Sequence, residues 1–259
     1  MSKYLVWKQQ VITDFSPKNI TTQYDNGFVF TRMSKGAMDQ TRSLRVHLKK
    51  LKFSSENKRI LRKTEHIAIE SIPLPYANYH WSIGKLAKDF YTSKFGKGTF
   101  SANKVKELLT DDAKSNFNLL LQYYSDRYKK NNTTKEKNKK NEKDEEEYCI
   151  CHTNDQTQDR RKRSHTCGYT ICYANQDILH YSYPFYDTVD MNEHFANLGM
   201  GMMTRAIMWA RGQGKQYMYL GSAQRPSDVY KFQFDTLEWF DGKKWNTDIK
   251  ELKQILATK

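Results

Sequence analysis

The chain has 259 residues, with 43 Lys and Arg against 29 Asp and Glu, a formal net charge of +14 and 14% aromatic residues. That length holds one large domain or two modest ones with a buried core, which excludes wholesale disorder. No run reaches the roughly 18 uninterrupted apolar residues of a membrane span. The start MSKYLVWKQQ has neither the apolar core nor the cleavage site of a signal peptide, so a cytoplasmic location is expected. The basic excess favours a polyanionic partner, with nucleic acid ahead of anionic lipid because nothing reads as a basic amphipathic membrane helix.

In chain order, residues 4–12 and 27–33 are rich in strand formers. Residues 42–53 alternate Leu44, Val46, Leu48 and Leu51 with basic residues, the pattern of a half-exposed strand. Ser54, Ser55 and Glu56 start a helix in which Ile60 and Leu61 face the core while Lys58, Arg59, Arg62 and Lys63 crowd the remaining surface. A strand over 66–74 is closed by Pro73 and Pro75, which cannot donate to a ladder. Helical spacing predicts helices over 81–95 and, after Gly96 and Gly98, over 101–128. Residues 129–147 contain no apolar side chain and cannot repay the entropy of ordering, so they are expected to be a flexible charged insertion.

Beyond it, residues 147–154, 165–176 and 178–187 read as strands, the first two joined by a basic loop with Arg161 and Arg163. A Gly-rich turn over 197–203 leads into a helix over 202–214, followed by a strand over 216–221 and a short helix near 229–234. A hairpin turning at Asp241 and Gly242 comes next, then a final helix capped by Thr247 or Asp248. The cysteines Cys149, Cys151, Cys167 and Cys172 form C-x-C and C-x4-C pairs rather than the C-x2-C of zinc knuckles. Free thiols buried in strands are expected, with zinc, aided by His152 and His165, as the alternative.

The order strand, Gly-x-Gly turn, helix, strand carries the chemistry. Free amides at a helix start suit a phosphate or a developing oxyanion, and Gly199 and Gly201 allow close backbone approach; the same glycines also suit a tight turn and close helix packing. This arrangement resembles the GCN5-related N-acetyltransferase superfamily, which implies an α/β fold with a mixed sheet flanked by helices. Coenzyme A-using members carry Gln or Arg where this chain has Ala196, which argues against that cofactor.

Within the superfamily the chain resembles the aminoacyl-tRNA protein transferases that add arginine or leucine to protein amino termini. The residues that carry the resemblance are Tyr183-Pro184-Phe185-Tyr186-Asp187, Leu198-Gly199, Tyr217-Met218-Tyr219-Leu220-Gly221, Tyr230-Lys231 with Phe234, Glu238 and Trp245. Arg32-Met33-Ser34-Lys35-Gly36, and Phe53, Ser55, Asn57, Lys58, Arg59 and Leu61, resemble the family's two upstream elements. The match covers residues 27–64 and 180–245; the family's cysteine-containing amino-terminal region is missing, so no metal role carries over.

The resemblance implies a single acyltransferase-like domain over 1–259, with 1–64 as amino-terminal strands and basic helix and 148–259 as the acyl-transfer half. It implies aminoacyl-tRNA as cosubstrate, no further cofactor, and acceptors that begin with Asp or Glu. The donor ester is already activated, so alignment of a neutral amine and stabilisation of the oxyanion are the main tasks. Backbone amides near Tyr186 and Asp187, or at Gly199 to Gly201, are the expected oxyanion donors, and Asp187 or Glu238 the proton acceptor, each also suited to a salt bridge or turn cap. Tyr183, Leu198, Gly221, Tyr219 and Tyr230 fall in the substrate-binding elements; Tyr219 and Tyr230 fit base stacking or an aromatic core. Arg32, Lys58, Arg59 and Lys231 fall in elements where a cation would read the acidic side chain, each also suited to a tRNA phosphate or to solvent, and Ser34 falls in the same substrate-binding element as Arg32. Arg45, Lys58, Arg59, Arg62, Lys63, Arg161 and Arg163 are the expected tRNA contacts, and Arg42 to Lys63 alone carries nine basic residues against Glu56, a net +8. A coenzyme A-dependent acetyltransferase and a catalytically silent RNA-binding module are the alternatives.

Overall fold

The computed structural model describes residues 4–125, 165–188 and 197–258. The expected 147–154 strand, the 129–147 insertion, Arg161, Arg163, Cys149, Cys151, His152 and Ala196 lie outside the described residues. In chain order the elements are β1 (Lys8–Val11), α1 (Pro17–Asp25), β2 (Phe28–Phe30), β3 (Ala37–Gln40), β4 (Ser43–His47), α2 (Ser55–Lys63), β5 (Ile67–Pro73), α3 (Trp81–Phe95) and α4 (Ala102–Thr110). They continue as β6 (Leu119–Ser125), β7 (His165–Ala174), β8 (Ile178–Tyr186), α5 (Leu198–Gly212), β9 (Tyr217–Ser222), a 3-10 helix (Pro226–Gln233), β10 (Leu237–Phe240), β11 (Trp245–Asn246) and α6 (Ile249–Ala257).

Local chemistry accounts for most of these boundaries. Ser54 and Asn57 close a reciprocal capping box on α2, and Asp248 caps α6 by accepting from the amides of Lys250 and Glu251. The helix α1, absent from the sequence reading, starts at Ser16, whose side chain accepts from the Asn19 amide, with Pro17 at its first position. The helix expected over 101–128 stops at Thr110, and Leu119–Ser125 is the strand β6. Its Leu119-Leu120-Leu121 run suits a strand buried on both faces as well as a helix, and periodicity alone does not separate the two. The glycines expected in a turn before the next helix lie inside the first turn of α5.

An eight-stranded sheet runs β11-β10-β4-β9-β8-β7-β6-β5, beside a small antiparallel sheet β1-β3-β2. One face of the large sheet packs against α5 and α6 through Met202, Ile207, Leu252 and Leu256. The other packs against α1, α3, α4 and the small sheet through Tyr24, Ile83, Phe90, Leu108 and Met38. With layers on both faces and β10 and β9 beside it, β4 is not half-exposed: Leu44, Val46 and Leu48 are fully buried. This is the mixed sheet flanked by helices that the resemblance implies.

The strands of the large sheet pair antiparallel except β8 and β9, which run parallel and are connected through the chain that carries α5. Their pairing covers only Ile178, Leu179 and His180 against Tyr217, Met218 and Tyr219. Immediately past that last rung each strand gains an extra residue relative to its outer neighbour. In β8, Tyr183 and Tyr181 oppose the adjacent Ile171 and Cys172, so Ser182 bulges; in β9, Ser222 and Tyr219 oppose Ser43 and Arg45, so the bulge falls at Leu220 and Gly221. Gly221 has φ +72, the left-handed backbone that a glycine bulge uses. Bulges bend and twist their strands. Two of them at the same level separate β8 from β9 and open a cleft at their carboxyl ends.

The last shared rung is braced from one side of the sheet. Glu238, Arg45, Tyr219 and His180 occupy aligned positions on β10, β4, β9 and β8. Arg45 is held by Glu238 at 2.6 Å and Asp25 at 2.9 Å, and its guanidinium carbon lies 4.0 Å from the ring centroids of both Tyr217 and Trp245. Tyr24 caps the row, its hydroxyl accepting from the Phe30 amide at 3.4 Å and standing 2.9 Å from His180 Nδ1. Burial, with the Lys231 charge nearby, pushes the His180 pKa down to about 3.

A neutral buried histidine has a stability consequence of fixed sign. Because the unfolded chain binds the proton more readily, His180 contributes stability that is complete above about pH 6.5 and is lost as pH falls toward 3, with a slope of up to about 1.4 kcal/mol per pH unit. Urea unfolding between pH 7 and 4 should show this component, and His180→Gln should remove it.

Candidate active site

The cleft between the diverging ends of β8 and β9 gathers one group of the residues singled out by sequence. Tyr183 and Tyr186 come from the β8 wall, Gly221 from the β9 wall, and Tyr230 and Lys231 from the 3-10 helix that follows β9. The start of α5 reaches the same place, because the Tyr186 hydroxyl lies where a Gly199 side chain would stand, 2.7 Å from an ideal Cβ.

The β8 wall is aromatic. Tyr183 contacts Phe100 and Phe117 with centroid distances of 5.3 and 5.4 Å, and Tyr186 contacts Phe90 at 4.7 Å. Tyr91 donates from its hydroxyl to the Pro184 carbonyl at 3.1 Å, tying α3 to β8. Burial raises the Tyr183 pKa to about 12, with the Arg32 charge opposing, and burial also raises Tyr186 and Tyr230. These phenols therefore stay protonated near neutral pH and serve as donors rather than bases.

Arg32 stands over this wall with its guanidinium carbon 4.4 Å from the Phe100 centroid and 5.7 Å from that of Tyr183. One nitrogen donates to the Thr99 carbonyl at 2.5 Å, and no carboxylate pairs with the guanidinium among the described residues. Its loop is fixed by Asn116, which accepts from the Gly36 amide at 2.6 Å and donates to the carbonyls of Thr31 and Ser34 at 2.9 and 2.8 Å. Ser34 itself is exposed and contributes its carbonyl to that loop. Asn116 escaped sequence reading because it lay within an expected helix, and Phe100 and Tyr91 because nothing in their spacing marks them.

Lys231 anchors the other wall. Its side chain is 11% exposed, donates to the Ser222 carbonyl at 2.9 Å, and lies 4.0 Å from Asp228. Burial lowers its pKa, with Asp228 opposing. Asp228 is meanwhile occupied by the amides of Gln224 and Arg225 at 2.8 and 3.0 Å.

Several expected roles are corrected by position. Gly201 and Gly199 sit about 200° apart on α5. Gly201 faces α2, where an added Cβ would lie 2.4 Å from the Thr64 side chain, and its amide is spent on the Asn197 carbonyl at 2.8 Å, so it is a packing glycine without a free donor. The amide of Asp187 bonds the Cys167 carbonyl at 3.4 Å, so it too is engaged. Amides of the first α5 turn, at Leu198, Gly199 and Met200, have no intrahelical acceptor, and the Asn197 side chain makes no cap. The Leu198 side chain is core rather than substrate contact.

Glu238 and Tyr219 belong to the brace beneath the cleft. Tyr219 is fully buried, with its hydroxyl 3.4 Å from both Arg45 and Asp25. Asp187 lies seven residues past the His180 rung, about 20 Å along the strand from the level of Glu238, so the two carboxylates do not form one pair.

The basic element divides in the same way. Lys58, Arg62 and Lys63 are exposed on α2, together with Lys49, Lys50 and Lys52 ahead of it. Arg59 also reaches the surface but is forked onto Glu56 at 2.6 and 2.5 Å. Arg45 is withdrawn into the brace, and Arg42 is buried with a bond to the Ala223 carbonyl at 3.3 Å, so neither can meet a phosphate. Cys167 and Cys172 are buried free thiols, and burial pushes Cys167 up to about 12. Among the described residues no His, Cys, Asp and Glu cluster is placed to hold a metal, and no helix is long and apolar enough to cross a membrane.

No family profile and no curated protein matches this sequence. Among solved structures, the chain is similar to L-PGS from Bacillus licheniformis at 9% identity and TM-score 0.42, covering 80% of this chain and 52% of that one. It is similar to FemX at 9% identity and TM-score 0.47, covering 95% and 72%. A third, the carboxyl-terminal domain of a protein assigned as a lysylphosphatidylglycerol synthetase from Agrobacterium fabrum, gives 10% identity and TM-score 0.39 over 94% and 70%. The chain thus spans about half the length of the L-PGS chain, and at these scores the likenesses bear on neither reaction nor substrate.

The two glycines should separate under substitution. Gly201→Ala drives a methyl into buried Thr64 and should destabilise the fold by about 1–3 kcal/mol by urea unfolding. Gly199→Ala, which needs only the Tyr186 hydroxyl to move, should cost less stability and should change ligand binding in the cleft.

Proposed function

We propose that this chain transfers arginine or leucine from aminoacyl-tRNA to the α-amine of an acceptor protein that begins with Asp or Glu, marking it in the manner of an N-degron. The observation that carries this reading is convergence. Residues scattered from 32 to 231, and matched to one transferase signature, meet at the separated ends of β8 and β9.

The chemistry needs little beyond what these groups supply. The neutral acceptor amine attacks the ester carbonyl and a C–N bond forms; the carbonyl oxygen becomes an oxyanion, then collapses to break the bond to the ribose oxygen, which leaves with a proton while the amine loses one. First-turn amides of α5 and the Lys231 ammonium are the donors for the oxyanion, because the amides of Asp187 and Gly201 are engaged elsewhere. Asp187, at the carboxyl end of β8, is the carboxylate for the amine's proton, and Glu238 is left as a brace. Arg32, lacking a carboxylate of its own among the described residues, takes the acceptor's acidic side chain. The tRNA backbone lies along Lys58, Arg62 and Lys63.

Incubation with radiolabelled arginyl- or leucyl-tRNA and peptides that differ only in their first residue tests the reading. Labelling of Asp or Glu peptides is expected, and no labelling of any peptide contradicts it. Label on phosphatidylglycerol vesicles would keep aminoacyl transfer and replace the acceptor, whereas acetyl transfer from acetyl-CoA would replace the reaction. Arg32→Ala should lose roughly tenfold or more on Asp and Glu peptides through KM. Joint replacement of Lys58, Arg62 and Lys63 by Ala should flatten the slope of log affinity for tRNA against log salt by about 2–3.

A further inference from the structure

At the mouth of the cleft the two walls touch through a pair of side chains that the transfer chemistry does not use. Phe95 ends α3, which packs on the β8 wall, and is 47% exposed. Arg225 begins the 3-10 helix on the β9 wall, and its guanidinium carbon lies 5.3 Å from the Phe95 centroid. Arg225 has no carboxylate partner among the described residues, since Asp228 receives only its backbone amide. Tyr230, 44% exposed, continues the patch; the Lys231 ammonium lies 5.7 Å from its ring centroid, and Val229 beside it is 45% exposed. Solvent therefore meets two aromatic rings and the Arg225 guanidinium at one place, with the largely buried Lys231 ammonium behind them and the nearby carboxylate of Asp228 already hydrogen-bonded to the chain.

We propose that Phe95, Arg225 and Tyr230 form a seat for an unpaired nucleobase and its phosphate, the single-stranded end of a nucleic acid entering the cleft. A ring face exposed to water gains by stacking on any base, and a guanidinium released from a ring is a bidentate phosphate donor. The Arg225 guanidinium carbon, 5.3 Å from the Phe95 centroid, already places a cation beside the ring that a base would stack on. An acidic side chain would pair with Arg225 but offers no planar face to the rings, whereas an unpaired nucleotide supplies both a base to stack and a phosphate for the guanidinium. This rests on the donor reading above, and it names the residues that receive the donor's end before any chemistry occurs.

The probe is a 5′-phosphorylated single-stranded trinucleotide, CCA, with 2-aminopurine in place of its adenine, whose fluorescence falls on stacking. The full chain should quench it and bind it in a salt-dependent way. Phe95→Ala and Tyr230→Ala should each weaken binding by roughly 5- to 100-fold, with Phe95→Trp and Tyr230→Phe restoring it. Arg225→Gln should reduce the salt slope while the quench persists at saturation, and Trp81→Ala, at the far end of α3, should change nothing. Circular dichroism establishes that each variant is folded. Unaltered affinity in folded Phe95→Ala and Tyr230→Ala would overturn the seat, as would displacement of the trinucleotide only by acidic peptides. If the trinucleotide binds through these residues but no aminoacyl group is transferred, the seat stands and the transferase reading fails. If transfer occurs and Phe95→Ala leaves its KM for the tRNA unchanged, the reverse holds.

Discussion

The pairing of β8 with β9 is the constraint from which the rest of the molecule follows. A parallel pair requires a crossover, and α5 lies in that connection, its start brought against Tyr186 at the open end of the sheet. Had the pair continued past His180 and Tyr219, the carboxyl ends of both strands would be closed by ladder bonds and no cleft would exist. The extra residues at Ser182 in β8 and at Leu220 to Gly221 in β9 prevent this, and they do so at the same level. Without the bulges, the aromatic wall, Lys231 and the first-turn amides of α5 would have nothing to enclose.

An opening of this kind weakens a sheet at its centre, and the structure offsets that weakness directly below it. Arg45 ties β4, β10 and α1 together through Glu238 and Asp25 while lying between two aromatic rings, and Tyr24 links α1 to His180 on the last rung. A buried arginine with two carboxylates is costly to desolvate unless its partners are close, and they are at 2.6 and 2.9 Å. The brace holds the lower ends of the strands together so that the upper ends can stand apart. It also explains why Glu238, Tyr219 and Arg45 bear the marks of functional residues in sequence while their side chains are engaged with one another.

Sequence resolved α2 and α6 through their caps and the strand ahead of Pro75 through its proline boundary, but not α1, although Ser16 and Pro17 mark its start. Ser54, Asp248 and Pro73 act locally, so their neighbours suffice to read them. It failed where the deciding contact is distant. Leu119 to Leu121 became a strand because β5 and β7 stand on either side of it, and β4 became buried because β9 and β10 flank it. At the site, Tyr183, Tyr186, Gly199, Tyr230, Lys231 and Arg32 were legible through their order in a signature. Asn116, Phe100 and Phe95 were not, since each matters through a contact with a residue 60 or more positions away, such as Asn116 with Gly36 or Phe95 with Arg225. The positive charge was legible in amount but not in direction, because the same stretch supplies both the inward Arg42 and Arg45 and the outward Lys58, Arg62 and Lys63.

The most direct test of the central claim, that the separated ends of β8 and β9 hold the aminoacyl group, is a crystal structure with a non-hydrolysable donor end, an adenosine carrying its amino acid in amide linkage at the 3′ position. The account predicts that the amino acid lies between Tyr183 and Gly221, with its carbonyl oxygen facing the first turn of α5 and Lys231. An amino acid bound on any other surface, or β8 and β9 found paired beyond His180 and Tyr219 with the cleft closed, would contradict it.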